Sequence, residues 1–144
     1  MGRPSKYSEA IADSICEHIA SGKSLVSWCK EEGRPNYSTV TRWLDAHESF
    51  RTKYVRARED QADYLAEEIV QIADDGLNDT YTDEEGNVRT NQDVIARSRL
   101  RVDARKWYAS KVAPKKYGDK VQQEVSGPDG GPVQQNVTVQ FVDQ

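Results

Sequence analysis

Phe50, Tyr54, Ala57, Ala62, Leu65, Ile69 and Ile72 recur at close to heptad spacing, with polar residues between them. That period predicts one long helix, from about Glu48 to Ala73, ended by the "DDG" that follows. Ala96, Leu100, Ala104, Trp107 and Val112 predict a second long helix, from about Asp93 to Ala113, stopped by Pro114. Both apolar stripes are narrow. With 31% of the 144 residues charged and 36% apolar, a single core here is modest. Helices of this kind fold back on each other and complete their burial in an oligomer.

Charge is laid out in blocks. Residues 1–58 carry 10 Lys/Arg against 7 Asp/Glu, residues 59–96 carry 1 against 12, residues 97–120 carry 9 against 2, and residues 121–144 carry 0 against 3. The first long helix is acidic in its second half (Glu59, Asp60, Asp63, Glu67, Glu68, Asp74, Asp75), and the last is basic (Arg97, Arg99, Arg101, Arg105, Lys106, Lys111). An antiparallel hairpin sets these opposite charges side by side along an apolar seam. Exposed pairs contribute only about 0–1 kcal/mol, so burial supplies the stability and charge sets the orientation. The basic stretch 99–120, "RLRVDARKWYASKVAPKKYGDK", therefore reads as an assembly element before it reads as a DNA surface.

Residues 8 to 46 read as three short helices. Ser8 caps the first, whose apolar positions are Ile11, Ala12, Ile15, Cys16 and Ile19, and Gly22 ends it. Ser24 caps the second, with Leu25, Trp28 and Cys29 inward and Gly33 closing it. After the turn "RPNY", Ser38 is expected to cap the third, "STVTRWLDAH", which buries Val40, Trp43 and Leu44. This is the order of a helix-turn-helix, whose third helix enters the DNA major groove. Thr39, Thr41 and Arg42 then point outward to base edges and phosphates, and Ser38 with the helix N-terminus takes a phosphate. Lys23, Lys30, Arg34 and the arm residues Arg3 and Lys6 are the candidates for sequence-neutral backbone contacts. The domain carries a net charge of only +3, so each copy binds weakly and useful affinity needs several copies on one DNA. Trihelical bundles also serve as protein-interaction modules, which leaves that alternative open.

The remaining segments are short. Residues 77–92 are a polar insert, in which "TYT" and "VRT" flank a Gly-Asn turn and form a small exposed hairpin. In the tail, "KVQQEV" and "NVTVQFV" alternate apolar and polar residues around "SGPDGGP". Val121 and Val125 share one face, and Val137, Val139 and Phe141 another. Two short strands are not stable alone, so they pair with the same tail from neighbouring subunits. The expected fold class is mainly α, in three parts: a DNA-binding domain at 1–58, a central helical oligomerisation domain at 59–118, and a β-strand tail at 119–144 that builds an intersubunit barrel. Leu65, Ile69, Ile72, Leu100, Arg101, Arg105, Trp107 and the five tail residues are the candidates for assembly.

Several functions find no support. No run of 18 apolar residues spans a membrane, and the N-terminus shows no secretory h-region. Cys16 and Cys29 fall on helix stripes and read as small core residues of a reduced cytosol. No phosphate-binding loop with its Lys occurs, His18 and His47 have no triad spacing, and "TDEEGN" fails as a calcium loop because Tyr81 stands where Asp is needed. No cofactor and no metal is expected. Two other readings stay open: a dimeric helix-turn-helix transcriptional regulator, and a small metal-dependent nuclease or recombinase subunit using Asp74, Asp75 and Asp79.

The order "SLVSWCKEEGRPNYSTVTRWLDAHESFRTKYVRA", then an acidic helix, then "ARSRLRVDARKWYASKVAPKKYGDK", resembles the small terminase subunits of tailed double-stranded DNA bacteriophages. The resemblance covers about residues 3 to 120, and its second block is the more specific. The insert 77–92 is longer than the resemblance leads one to expect. It implies a non-catalytic DNA-packaging protein in the host cytoplasm. Such subunits form closed rings, with the DNA-binding domains outside and the central helix pairs around a channel. C-terminal strands build a barrel at one end. The ring recognises the packaging start of viral DNA, delivers it to the large terminase subunit, contacted through the tail, and modulates that subunit's ATPase and nuclease.

Overall fold

The computed structural model describes residues 6–120, 126–133 and 137–139. The architecture is mainly helical with one small antiparallel sheet. Three short helices open the chain: α1 (Glu9–Ala20), α2 (Leu25–Cys29) and α3 (Tyr37–Ala46). α4 (Glu48–Asp74) follows, then β1 (Thr80–Thr82), β2 (Val88–Thr90), α5 (Gln92–Val112) and a single turn, α6 (Pro114–Tyr117). At 27 residues, α4 is about 40 Å long and runs unbroken from the first bundle into the central hairpin.

Local sequence fixes most helix ends. The Ser8 and Ser24 hydroxyls accept from the Ile11 and Ser27 amides, as expected for N-caps. The third cap differs from the expectation. Asn36, not Ser38, starts α3, its side chain accepting from the Thr39 amide at 2.9 Å. Asn caps as well as Ser, and Asn36 itself has the extended backbone of a cap (φ −77°, ψ 165°), so the helix begins earlier than the Ser-Thr pair suggests. Pro114 ends α5 and then occupies the first position of α6, where its missing N–H is no loss.

The first core joins α1, α2 and α3 to the start of α4. Ala12, Ile15, Ile19, Leu25, Trp28, Cys29, Val40, Trp43, Phe50 and Ala57 are buried together. Cys29 is a core residue as expected, and Cys16 packs against the same cluster, where burial pushes its thiol up to about 11. Tyr7 closes one side, edge-on to Trp43 and stacked on His47 at 3.7 Å. At the end of α1, Gly22 has φ +84° and lies under the ring of Tyr64 from α4.

α4 and α5 form the expected antiparallel hairpin, with two ion pairs across it and its continuation. Arg105 Nε meets Glu68 at 2.8 Å, and Lys116 Nζ meets Asp63 at 2.6 Å. Lys116 holds the Asp63 carboxyl below the usual range, and the Tyr117 hydroxyl donates to the same oxygen. The phase of α5, however, corrects the sequence reading. The side turned to α4 carries Ile95, Ser98, Val102, Arg105, Ala109 and Val112, all buried or half-buried, whereas Ala96, Leu100, Ala104 and Trp107 are exposed. α5 has apolar residues on both sides, so periodicity alone finds two seams and cannot say which one faces α4.

β1 and β2 form the small hairpin expected in the insert, with Tyr81 opposite Arg89. Every residue of both strands is exposed. The tail residues Val121, Val125 and Phe141 lie outside the described residues. Val137 and Val139 are exposed, and residues 137–139 carry no strand.

Candidate nucleic-acid interface

α3 is held by one side. Val40 and Trp43 are buried in the first core and Leu44 is half-buried, which turns the other side of the helix out. Arg51 of α4 fixes its far end by donating to the Leu44 and Asp45 carbonyls at 2.8 and 3.1 Å. At the near end, the Asn36 carboxamide oxygen gathers three donors: the Thr39 amide, the Thr39 hydroxyl at 2.7 Å and the Ser38 hydroxyl at 3.0 Å.

Ser38, Thr39, Thr41 and Arg42 are brought together on this end of α3. The Thr41 hydroxyl donates to the Ser38 carbonyl at 3.0 Å, and Arg42 Nε donates to the same carbonyl at 3.3 Å. Arg42 Nη2 reaches the Thr39 hydroxyl at 3.5 Å. Arg42 and Ser38 are exposed, and Thr39 and Thr41 half-buried. An exposed guanidinium among three hydroxyls offers donors to phosphate oxygens and to base edges.

The other expected contacts are more scattered. Lys30 is exposed at the end of α2, Lys23 is exposed in the α1–α2 turn, and Lys6 is exposed ahead of α1. Arg3 lies outside the described residues. Arg34 is half-buried: its guanidinium sits 4.5 Å above the Trp28 ring and pairs with Glu31 at 2.7 Å. The bundle itself therefore uses Arg34.

The expected assembly residues divide into two sets. Leu65 and Ile72 are buried, Ile69 is half-buried, and Arg105 is engaged by Glu68, all within the subunit's own hairpin. Leu100 is 57% exposed and Trp107 63%, so these large apolar side chains face outward with Arg101 beside them. Among the described residues, no three His, Cys, Asp or Glu side chains are grouped to hold a metal ion, and no helix is long and apolar enough to cross a membrane.

A family model of bacteriophage Sf6 terminase small subunit-like proteins matches residues 7–124. The chain belongs to this family. Three solved structures carry similar folds, each a point variant of the terminase small subunit gp1 of the bacterial virus Sf6. An aspartate-to-arginine variant is 44% identical with a TM-score of 0.66, covering 95% of this chain and 96% of that one. A lysine-to-glutamate and an arginine-to-alanine variant are each 42% identical at the same TM-score and coverage. A comparison with curated protein sequences finds no match.

Sequence reasoning missed two features of this terminase small subunit-like chain. Asn36 organises the α3 terminus, and the signal was present: Asn directly after Pro, three residues before Thr39. The second is Gln61, buried on α4 amid apolar residues and bonded to Arg58 and the Lys23 carbonyl. Nothing in the sequence distinguishes it from an exposed glutamine.

Proposed function

We propose that the chain is the DNA-recognition subunit of a phage genome-packaging motor and is itself non-catalytic. Its N-terminal bundle acts as a helix-turn-helix domain, with α3 reading the packaging start of double-stranded viral DNA. The observation that carries this reading is the outward cluster of Ser38, Thr39, Thr41 and Arg42 on a helix anchored by Val40 and Trp43. Lys6, Lys23 and Lys30 add backbone contacts, and Arg3 extends them from the arm.

Subunits assemble into a closed ring. Two different exposed faces support this: Glu59, Asp60 and Glu67 on α4, and Leu100, Trp107, Arg97, Arg101 and Lys106 on α5. Opposite charge on distinct faces fits a heterologous contact, which repeats around an axis instead of closing as a twofold dimer. The ring multiplies weak single-bundle binding. It delivers DNA to the large terminase subunit, contacted through the C-terminal tail, and modulates that subunit's ATPase and nuclease in the host cytoplasm.

The test is Arg42→Ala, with binding to phage genomic fragments and native mass measured together. Affinity is expected to fall several-fold, with a salt slope lower by about one per bundle and no change in mass. Unchanged binding would remove α3 as the reader. A clean wild-type dimer on a palindromic site would favour a transcriptional regulator instead.

A further inference from the structure

Gln61 is 1% exposed on a side of α4 where its neighbours Ala57, Ala62 and Leu65 are apolar. A carboxamide there loses its hydration and stays only if its polar atoms are paired. Both are. Its Nε2 donates to the Lys23 carbonyl at 2.7 Å, and its Oε1 accepts from Arg58 Nη1 at 3.1 Å. The same Arg58 nitrogen donates to the Tyr108 hydroxyl on α5. Arg58 Nη2 donates to the Tyr54 hydroxyl at 2.8 Å, with the guanidinium 5.1 Å from the centre of that ring. One chain of hydrogen bonds thus runs from the α1–α2 turn through α4 to α5.

This bridge spans a gap in the packing. Among the described elements, α1 and α3 pack on α4, α2 packs on α1 and α3, and none of the three packs on α5. Among these described elements, the bundle is otherwise joined to the central hairpin through α4 alone. The Tyr64 ring over Gly22 presses on the same turn that Gln61 holds.

We infer that Gln61 and Arg58 are positioning residues that latch the α1–α2 turn to α4 and α5, and so fix the angle between the N-terminal bundle and the central hairpin. A buried polar relay suits this role because it is satisfied in one geometry, whereas an apolar contact tolerates sliding. The consequence for DNA rests on the reading of α3 given above: the latch keeps α3 of every subunit in the orientation that a common DNA path requires.

The angle can be measured without DNA. Spin labels on ketone-bearing residues introduced at positions 45 on α3 and 103 on α5, both exposed, report one distance per subunit when labelled chains are diluted into unlabelled ones. The full-length protein is expected to give a narrow distribution. Gln61→Leu and Tyr108→Phe should each broaden it about twofold or more, with native mass and helicity unchanged. Val40→Ala, a core change away from the relay, should lower the melting temperature without broadening. If Gln61→Leu does not fold, Tyr108→Phe, which deletes one oxygen, carries the test.

A distribution that stays narrow in Tyr108→Phe, and in Gln61→Leu where it folds, overturns the latch, as does equal broadening in Val40→Ala. If the competent orientation drops to about a third of the population, the single-bundle dissociation constant rises about threefold. Broadening together with that loss supports both the latch and the role of α3. Broadening with unchanged DNA affinity supports the latch and counts against α3 as the reader.

Discussion

Gly22→Ala isolates the junction between the first bundle and α4. Gly22 has φ +84°, and a Cβ built there falls 2.3 Å from Cδ1 and 2.6 Å from Cε1 of Tyr64. The left-handed backbone costs an L-residue about 1–2 kcal/mol. Overpacking in a core costs about 1–3 kcal/mol, and the lower end applies here because the half-exposed Tyr64 ring can swing away. Reduced freedom of the unfolded chain returns about 0.4–1 kcal/mol. The net expectation is a loss of about 2 kcal/mol. Urea unfolding followed by tryptophan fluorescence reads it at fixed protein concentration, since Trp28 and Trp43 are 3% and 8% exposed in the first core and Trp107 is 63% exposed outside it. In the Tyr64→Ala background the steric part should vanish and the backbone part remain, a coupling of about 1 kcal/mol. A loss below about 0.5 kcal/mol in Gly22→Ala, or no coupling to Tyr64, would refute the packing argument.

Asn36→Ala removes the α3 cap and the acceptor shared by Ser38 and Thr39, and should cost about 1 kcal/mol by the same urea assay. Leu100→Ser with Trp107→Ser should lower the native mass in light scattering while helicity by circular dichroism stays the same; an unchanged mass would show that this face of α5 is not an interface. Lys53 donates to Glu9 and, followed by Tyr7 and Ser49, depresses its carboxyl from 4.5 to about 2. A depressed acid contributes stability that is complete above its unfolded value and lost as pH falls through the folded one. Wild-type melting temperature should therefore drop relative to Glu9→Gln between about pH 4.5 and pH 2, and parallel curves for the two proteins would contradict this.

How much was legible depended on whether the signal was local. Ser8 and Ser24 announced their caps, the heptad line through Phe50, Leu65 and Ile72 announced α4, and the Gly-Asn turn announced the hairpin. The α3 residues Ser38, Thr39, Thr41 and Arg42 came together as expected because Val40 and Trp43 fix the helix rotation. Arg34 read as a DNA-backbone contact; that it also covers Trp28 was not legible, because the meeting of its guanidinium with the indole is set by the fold of the turn after α2.

Local sequence set the main helices, most of their ends and the charge blocks, since caps, turns and apolar periods act over a few residues. Tertiary structure decided which side of α5 faces α4, leaving Leu100 and Trp107 outward, and it decided that Gln61 is buried. Both outcomes depend on partners tens of residues away. Tyr108 and the Lys23 carbonyl reach the Arg58–Gln61 pair only after the chain has folded back on itself, and no local pattern encodes that meeting.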